Sequence, residues 1–331
     1  MDLLVDGDLT LRRAVPADAP DVVEVYNEAD IQHWMLWEPE VVDEAEALAN
    51  IARSEEAWAE GSWAVFRIVV GGHVVGGANL HFLPYDVAEA SYFLRASARG
   101  RGIATRALLM LTDWSFRERG QARVFLRCNP ENTASRALAE RGGFTYEGLE
   151  RRSAAYPDGR RFDSCVYSML PAERVAIRPA TLDDAAFLTD TAIEATRDQG
   201  RFPADVDLAE YRAGFLDWTL EQLRDEVPDS VTSVVTAYGA DVGRLRVVRT
   251  GDLVELAGLQ LLPAHQGRGI GTRIIRDLMA EAAATGRGFG LSVEKDNPRA
   301  RALYERLGLV VVGDEGDDPG EHVMRLPRTS G

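Results

Sequence analysis

The chain repeats itself once, at long range. LRRAVPADA at Leu11–Ala19 matches IRPATLDDA at Ile177–Ala185, an offset of 166 residues. Gly102 matches Gly269 at an offset of 167, and Asn129-Pro130 matches Asn297-Pro298 at 168. RGGF at Arg141–Phe144 matches RLGL at Arg306–Leu309 at 165. Four matches in one order at a nearly constant offset mark a duplicated domain, because solenoid repeats have periods of roughly 20–50 residues. The chain has 331 residues, 46% of them hydrophobic, enough for two cores. Two domains are therefore expected, at 1–171 and 172–331. The joint falls near Pro171–Arg174, after the strand-like stretch Val166–Leu170.

Each half reads locally as strand, glycine loop, helix, strand, helix. In the first half, Ala90–Ala96 alternates like a strand and RGRGIA follows. Thr105–Arg119 then puts Leu108, Leu111 and Ser115 on one helical face. Arg123–Cys128 is a second strand, and Thr133–Arg141 a helix stopped by Gly142-Gly143. In the second half, Leu253–Leu262 is the strand and QGRGIG the loop, followed by a helix marked by Ile274, Leu278 and Ala282. Gly290–Glu294 and Arg299–Leu307, closed by Gly308, complete the pattern. The fold class this predicts is α/β, a mixed sheet with flanking helices, made twice.

A strand that turns through glycines into a helix gathers backbone N–H groups at the positive end of the helix dipole, an arrangement that holds phosphate. Glycine permits positive φ and a close approach of ligand to backbone. The full G-x-G-x-x-G pattern is missing and no GK[ST] follows, so the dinucleotide and P-loop readings fit poorly. The shared spacing is R/Q-x-x-G-x-G/A: Arg99-Gly102-Ala104 and Gln266-Gly269-Gly271.

This spacing resembles the acyl-CoA pyrophosphate loop of the GNAT superfamily of N-acyltransferases. LLPAHQGRGIGTRII and VEKDNPRARALYERLGL carry the resemblance over most of the second half. The first half resembles the branch that acts on protein N-termini, including those of ribosomal proteins, through IQHWMLWEPE, NPENTASRALAERGGFTYEG and DGRRFD. The resemblance implies acetyl-CoA or another acyl-CoA as co-substrate, no metal, and acyl transfer to the primary amine of a small molecule or peptide by direct attack on the thioester. It implies donor-binding residues Arg99, Gly100, Arg101, Gly102, Ala104, Thr105 and Asn132 in the first half. In the second half they are Gln266, Gly267, Arg268, Gly269, Gly271, Thr272 and Asn297. The oxyanion contact would be a backbone N–H near Leu94–Ala96 and near Leu261–Leu262.

Acyl transfer to an amine needs a proton taken from nitrogen, a stabilised oxyanion and a proton for the leaving thiolate. The resemblance places the acid at Tyr304 in the second half; the matching first-half residue is Ala139, a departure, and Asn132–Ser135 supplies Ser135 instead. For the base, Glu255 lies on the strand before the loop and Glu89 precedes its counterpart. Residues 30–60 hold nine acids and one arginine, with Trp34 and Trp37, which suits a cationic acceptor or equally a solvated helical face.

Two other readings stand beside this one. The donor could be the pantetheine thioester of an acyl carrier protein docked on Arg99, Arg101, Arg117, Arg119 and Arg123; or one domain could bind acyl-CoA without catalysis. The net charge of −16 opposes binding to nucleic acid or an anionic membrane. Cys128 and Cys165 lack metal-site or redox spacing, and five scattered histidines suggest no zinc site. The acidic N-terminal MDLLVDGDLTLRR is unlike a signal peptide, so a cytoplasmic protein is expected.

Overall fold

The structure, a computed structural model, describes residues 3–35, 41–156, 158–203, 205–224, 229–313 and 320–327. Trp37 lies outside the described residues, as do its neighbours in 36–40. The chain forms two compact units, Met1–Glu173 and Arg174–Gly331.

The first unit runs β1 (Leu3–Asp6), β2 (Leu9–Arg12), α1 (Ala19–Tyr26), α2 (Ala29–Met35), α3 (Glu44–Glu60), β3 (Trp63–Val70), β4 (His73–Leu83), β5 (Val87–Leu94), α4 (Ile103–Glu118), β6 (Arg123–Cys128), α5 (Thr133–Arg141), β7 (Thr145–Ala155) and β8 (Arg161–Met169). The second runs β9 (Val175–Pro179), α6 (Ala185–Asp198), α7 (Leu208–Leu223), β10 (Ser230–Ala237), β11 (Ala240–Arg249), β12 (Leu253–Leu261), α8 (Ile270–Ala284), β13 (Gly288–Glu294), α9 (Pro298–Arg306), β14 (Val310–Gly313) and β15 (Glu321–Arg325). The first sheet has the order β1-β2-β3-β4-β5-β6-β8-β7 and the second β14-β15-β13-β12-β11-β10-β9. Apart from the added β1, the second order is the first reversed in listing. Both are mixed sheets flanked by helices, as the α/β expectation requires.

Each sheet contains one parallel pair, and it positions the site. β5 and β6 pair only over Val87–Glu89 against Arg123–Phe125. β12 and β13 pair only over Leu253–Leu256 against Gly288–Leu291. Beyond those residues the strands diverge. Among the described residues no further β5–β6 or β12–β13 pairing forms, so the gap-facing side of β5 past Glu89 and of β12 past Leu256 has no ladder partner.

The helix after each loop is held by the face its periodicity predicts. Ile103, Ala107, Leu108, Leu111 and Ser115 are buried on α4, and Ile270, Ile274, Leu278 and Ala282 on α8. The duplicated opening segment is an ion-pair clamp. Arg12 grips Asp18 through two 2.7 Å hydrogen bonds, and Asp18 precedes α1. Arg178 grips Asp184 at 2.8 and 2.7 Å ahead of α6. The same carboxylates accept the backbone N–H of Val15 and of Thr181. The clamp therefore ties β2 to α1 in the first unit and β9 to α6 in the second. Element ends shift by a few residues from the sequence expectation: β5 stops at Leu94, because Ala96–Ala98 forms a 3-10 turn that starts the loop.

Candidate active site

The loops are alike in backbone geometry. Gly100 and Gly102 have φ of +75° and +74°, and Gly267 and Gly269 have +74° and +80°. Alternating left-handed residues turn successive N–H groups toward one point, and the first-turn N–H groups of the following helix lack intrahelical acceptors. A Cβ at Gly100, Gly102 or Gly267 would meet no atom within 4 Å. The space in front of the backbone is open, as a phosphate cradle requires.

The first side chain of the shared spacing has a structural task that its sequence does not announce. Arg99 Nε donates to the Leu94 carbonyl at 2.9 Å, and Gln266 Nε2 donates to the Leu261 carbonyl at 3.1 Å. Both reach back five residues and brace the loop against the strand end. This explains how arginine and glutamine exchange at that position: either supplies the one N–H that the brace needs. Arg99 also pairs with Asp30 at 2.9 Å. Ala96, expected among the donor contacts, gives its N–H to Glu28 Oε2 at 2.7 Å, so that N–H is already used. Arg101 lies 3.8 Å from Asp8.

In the first unit a cavity of about 800 Å³ opens in the gap between β5 and β6. Of the residues singled out in the sequence, Glu89, Leu94, Arg99, Gly100, Gly102, Ala104, Thr105, Asn132 and Ser135 line it. Ala96 and Arg101 do not. The volume lies within the range of small-molecule sites, roughly 300–1,000 Å³. Asn132 caps α5, accepting the Ser135 N–H at 3.0 Å, and Asn297 caps α9, accepting the Ala300 N–H at 3.1 Å. The asparagine of each segment thus sets the start of the helix.

Glu89 faces the cavity with both carboxylate oxygens on Arg127, at 2.9 and 2.8 Å. Ser135, half-buried, has its Oγ 2.9 Å from the Tyr92 hydroxyl. Sequence reasoning did not select Tyr92; its only signal was its place in the strand before the loop. Burial pushes the Tyr92 phenol well above its usual pKa. Cys128 also lines the cavity, and burial pushes its thiol up, outweighing a hydrogen bond with Ser135. Both cysteines are free and buried. Ala139 is wholly buried, so the position matched to Tyr304 belongs to the core here. His33, exposed at the cavity rim, meets Trp34 edge-on at 4.6 Å between ring centroids.

In the second unit, Gly271 and Thr272 fall in the first turn of α8, with Leu261 ending β12, Leu262 preceding the loop and Arg268 between its two left-handed glycines. Tyr304 is half-buried on α9, and burial raises its pKa. Glu255 lies on β12, where its charge acts on Arg246. No hydrogen bond or ion pair joins Tyr304 to Glu255 among the described residues. Of the five arginines considered for a carrier protein, Arg99, Arg101, Arg117 and Arg123 pair with acids, and Arg119 lies over the Phe82 ring. Among the described residues no cluster of metal-ligating side chains forms and no helix is long and apolar enough to cross a membrane.

Residues 8–145 match the model of an acetyltransferase (GNAT) domain, and residues 197–309 match that of the acetyltransferase (GNAT) family. YdaF of Bacillus subtilis, provisionally named a ribosomal N-acetyltransferase, is 30% identical over 176 residues, covering 51% of this chain and 94% of that protein. The N-acetyltransferase p20 of Bacillus licheniformis, itself uncharacterised, is 28% identical over 177 residues, covering 52% and 98%. A coenzyme A complex of RimL, the ribosomal L7/L12 α-N-protein acetyltransferase, aligns with a TM-score of 0.48 and 23% identity, covering 51% of this chain and 98% of that one. The chain is an acyltransferase that belongs to the GNAT acetyltransferase family and carries two copies of that family's domain.

Proposed function

We propose that the first unit transfers an acetyl group from acetyl-CoA to a primary amine, on a peptide N-terminus or a small molecule. The observation that carries this reading is the single cavity in which the glycine loop, the free edge of β5, Glu89 and Ser135 meet. The loop N–H groups and the first turn of α4 hold the pyrophosphate. A gap-facing N–H of β5 near Leu94 takes the charge that develops on the thioester oxygen. The amine nitrogen bonds to the carbonyl carbon and the carbon–sulfur bond breaks. The nitrogen gives up its proton to Glu89 through a water, since each carboxylate oxygen keeps a second lone pair beside its Arg127 bond. Ser135 Oγ–H protonates the departing thiolate. The ribosomal naming of YdaF points to a peptide N-terminus as acceptor. Coenzyme A fits the donor site better than a carrier protein, because the candidate docking arginines are largely occupied by acids.

The second unit repeats the loop geometry, which supports acyl-CoA binding there as well. Its own candidates are Tyr304 as acid and Glu255 as base. The test is thiol release from acetyl-CoA across a panel of amines and peptides, for the parent, Ser135→Ala and Tyr304→Phe. Loss of turnover in Ser135→Ala alone assigns the chemistry to the first unit. Loss in Tyr304→Phe alone moves it to the second and refutes the proposal.

A further inference from the structure

Ser135 meets a second hydroxyl at the cavity wall. Tyr92 comes from β5 and Ser135 from the first turn of α5, so the two walls of the cavity touch through these oxygens, 2.9 Å apart. We propose that Tyr92 is a positioning residue: its phenol donates to Ser135 Oγ, so the serine's own hydrogen is not spent on the tyrosine and can swing from the neighbouring Cys128 sulfur to the departing sulfur. The inference rests on the reading of the first unit as the site of acetyl transfer.

A serine hydroxyl carries one hydrogen. If Ser135 gave it to Tyr92, none would remain for the thiolate. The phenol's other acceptor is the Ser135 carbonyl at 3.3 Å, beyond the normal O–H···O range of about 2.5–3.0 Å. Ser135 Oγ is therefore the better acceptor, and the phenol hydrogen belongs there. Among the described residues no guanidinium or carboxylate hydrogen-bonds the Tyr92 hydroxyl, and burial keeps the phenol protonated, so it remains a donor throughout the working pH range. The serine backbone is held as well, by Asn132 Oδ1 on its N–H. One oxygen fixes the main chain and the other fixes the hydroxyl. As the carbon–sulfur bond breaks, sulfur keeps the electron pair and takes the Ser135 hydrogen. The Tyr92 hydrogen bond then stabilises the charge left on Oγ, and the serine regains a proton from water after coenzyme A departs. The nitrogen's proton leaves separately by way of Glu89, so the net transfer is one proton from nitrogen to sulfur.

The experiment compares the full chain with Tyr92→Phe, Ser135→Ala and the double variant, using acetyl-CoA and an accepted peptide or amine. Phenylalanine keeps the buried ring and removes only the hydroxyl. Tyr92→Phe should lower kcat about tenfold with the KM for acetyl-CoA within twofold, and the double variant should be no slower than Ser135→Ala, because Tyr92 acts through the serine. Multiplying losses in the double variant, or a KM change without a kcat change, would show a merely structural role and overturn the inference. Parent-like kcat in Tyr92→Phe with an impaired Ser135→Ala removes Tyr92 alone. Parent-like kcat in Ser135→Ala removes the serine, and with it both this inference and the serine step of the proposed function.

Discussion

Gly102→Ala separates what the loop does for stability from what it does for the donor. Gly102 sits at φ +74° directly before α4. An alanine held in that left-handed conformation costs about 1–2 kcal/mol. No clash adds to this, because the new Cβ meets nothing within 4 Å. For a domain of this size the melting temperature should fall by roughly 2–8 °C. Gly120 is the control: it has φ +66°, follows the other end of α4, and its Cβ also meets nothing within 4 Å. Gly120→Ala should therefore cost about the same in stability, because the cause is the same.

The two variants should differ only toward the donor. At Gly102 the methyl group enters the space the phosphate is meant to occupy. Loss of one charge-assisted N–H bond to phosphate is worth about 1.5–3 kcal/mol, or roughly 10- to 150-fold in Kd. Calorimetric titration with acetyl-CoA reads this together with the stoichiometry. If both units bind, the parent shows two sites, Gly102→Ala loses the first unit's and Gly269→Ala the second's. Equal affinity for acetyl-CoA in Gly102→Ala and Gly120→Ala, at equal loss of stability, would refute the phosphate reading of the loop.

Four further outcomes follow from the geometry. Glu89→Gln should lower kcat about 10²-fold; a kcat within threefold of the parent would leave Glu89 only as the partner of Arg127. Asp184 lies well below the usual carboxylate range, first through the Arg178 hydrogen bonds, so its contribution is present above the unfolded pKa of about 3.9 and is lost as pH falls through the folded value. Asp184→Asn should accordingly cost about 1–2 kcal/mol at pH 7, toward the low end because Arg178 is 39% exposed, and should flatten the acid limb of a urea-midpoint series; an unchanged acid limb would exclude the clamp as its source. Arg244 is 2% exposed, stacked over Trp218 and Phe215 and bonded to Gln222 and Gln260, with burial holding its pKa down to about 10. Arg244→Ala should destabilise the second unit by at least about 2 kcal/mol in denaturant melts, through a cavity and unpaired glutamines. Gln266→Leu removes the N–H that braces the second loop and should weaken donor binding there, whereas Gln266→Arg should keep it, as Arg99 does; equal binding by both would show the brace to be dispensable.

What was legible in the sequence is what depends on neighbours along the chain. The helix after each loop shows in the spacing of Leu108, Leu111 and Ser115 and of Ile274, Leu278 and Ala282, and all six are buried. The duplication showed in short matches, one of which is the Arg–Asp clamp, whose two members stand six residues apart. The partners that give the site its geometry come from elsewhere. Glu89 is held by Arg127, 38 residues on, and Ser135 meets Tyr92, 43 residues back. No periodicity links such pairs, because they meet only where two strands stop pairing and part.

That divergence also bears on the tyrosine missing from the first unit's last helix. A side chain that serves the leaving sulfur must reach the gap, and the gap has two walls, a strand and a helix. A pattern written for the helix finds Tyr304 and, at the matching place in the first unit, only Ala139, which the core encloses. The first unit presents its phenol from the strand wall, at Tyr92, against a serine on the helix wall. Loss of a residue from one wall is therefore no sign that a copy of the domain has lost its chemistry, because the opposite wall can supply a hydroxyl to the same space. The two units are better compared by which groups face their gaps than by which residues align.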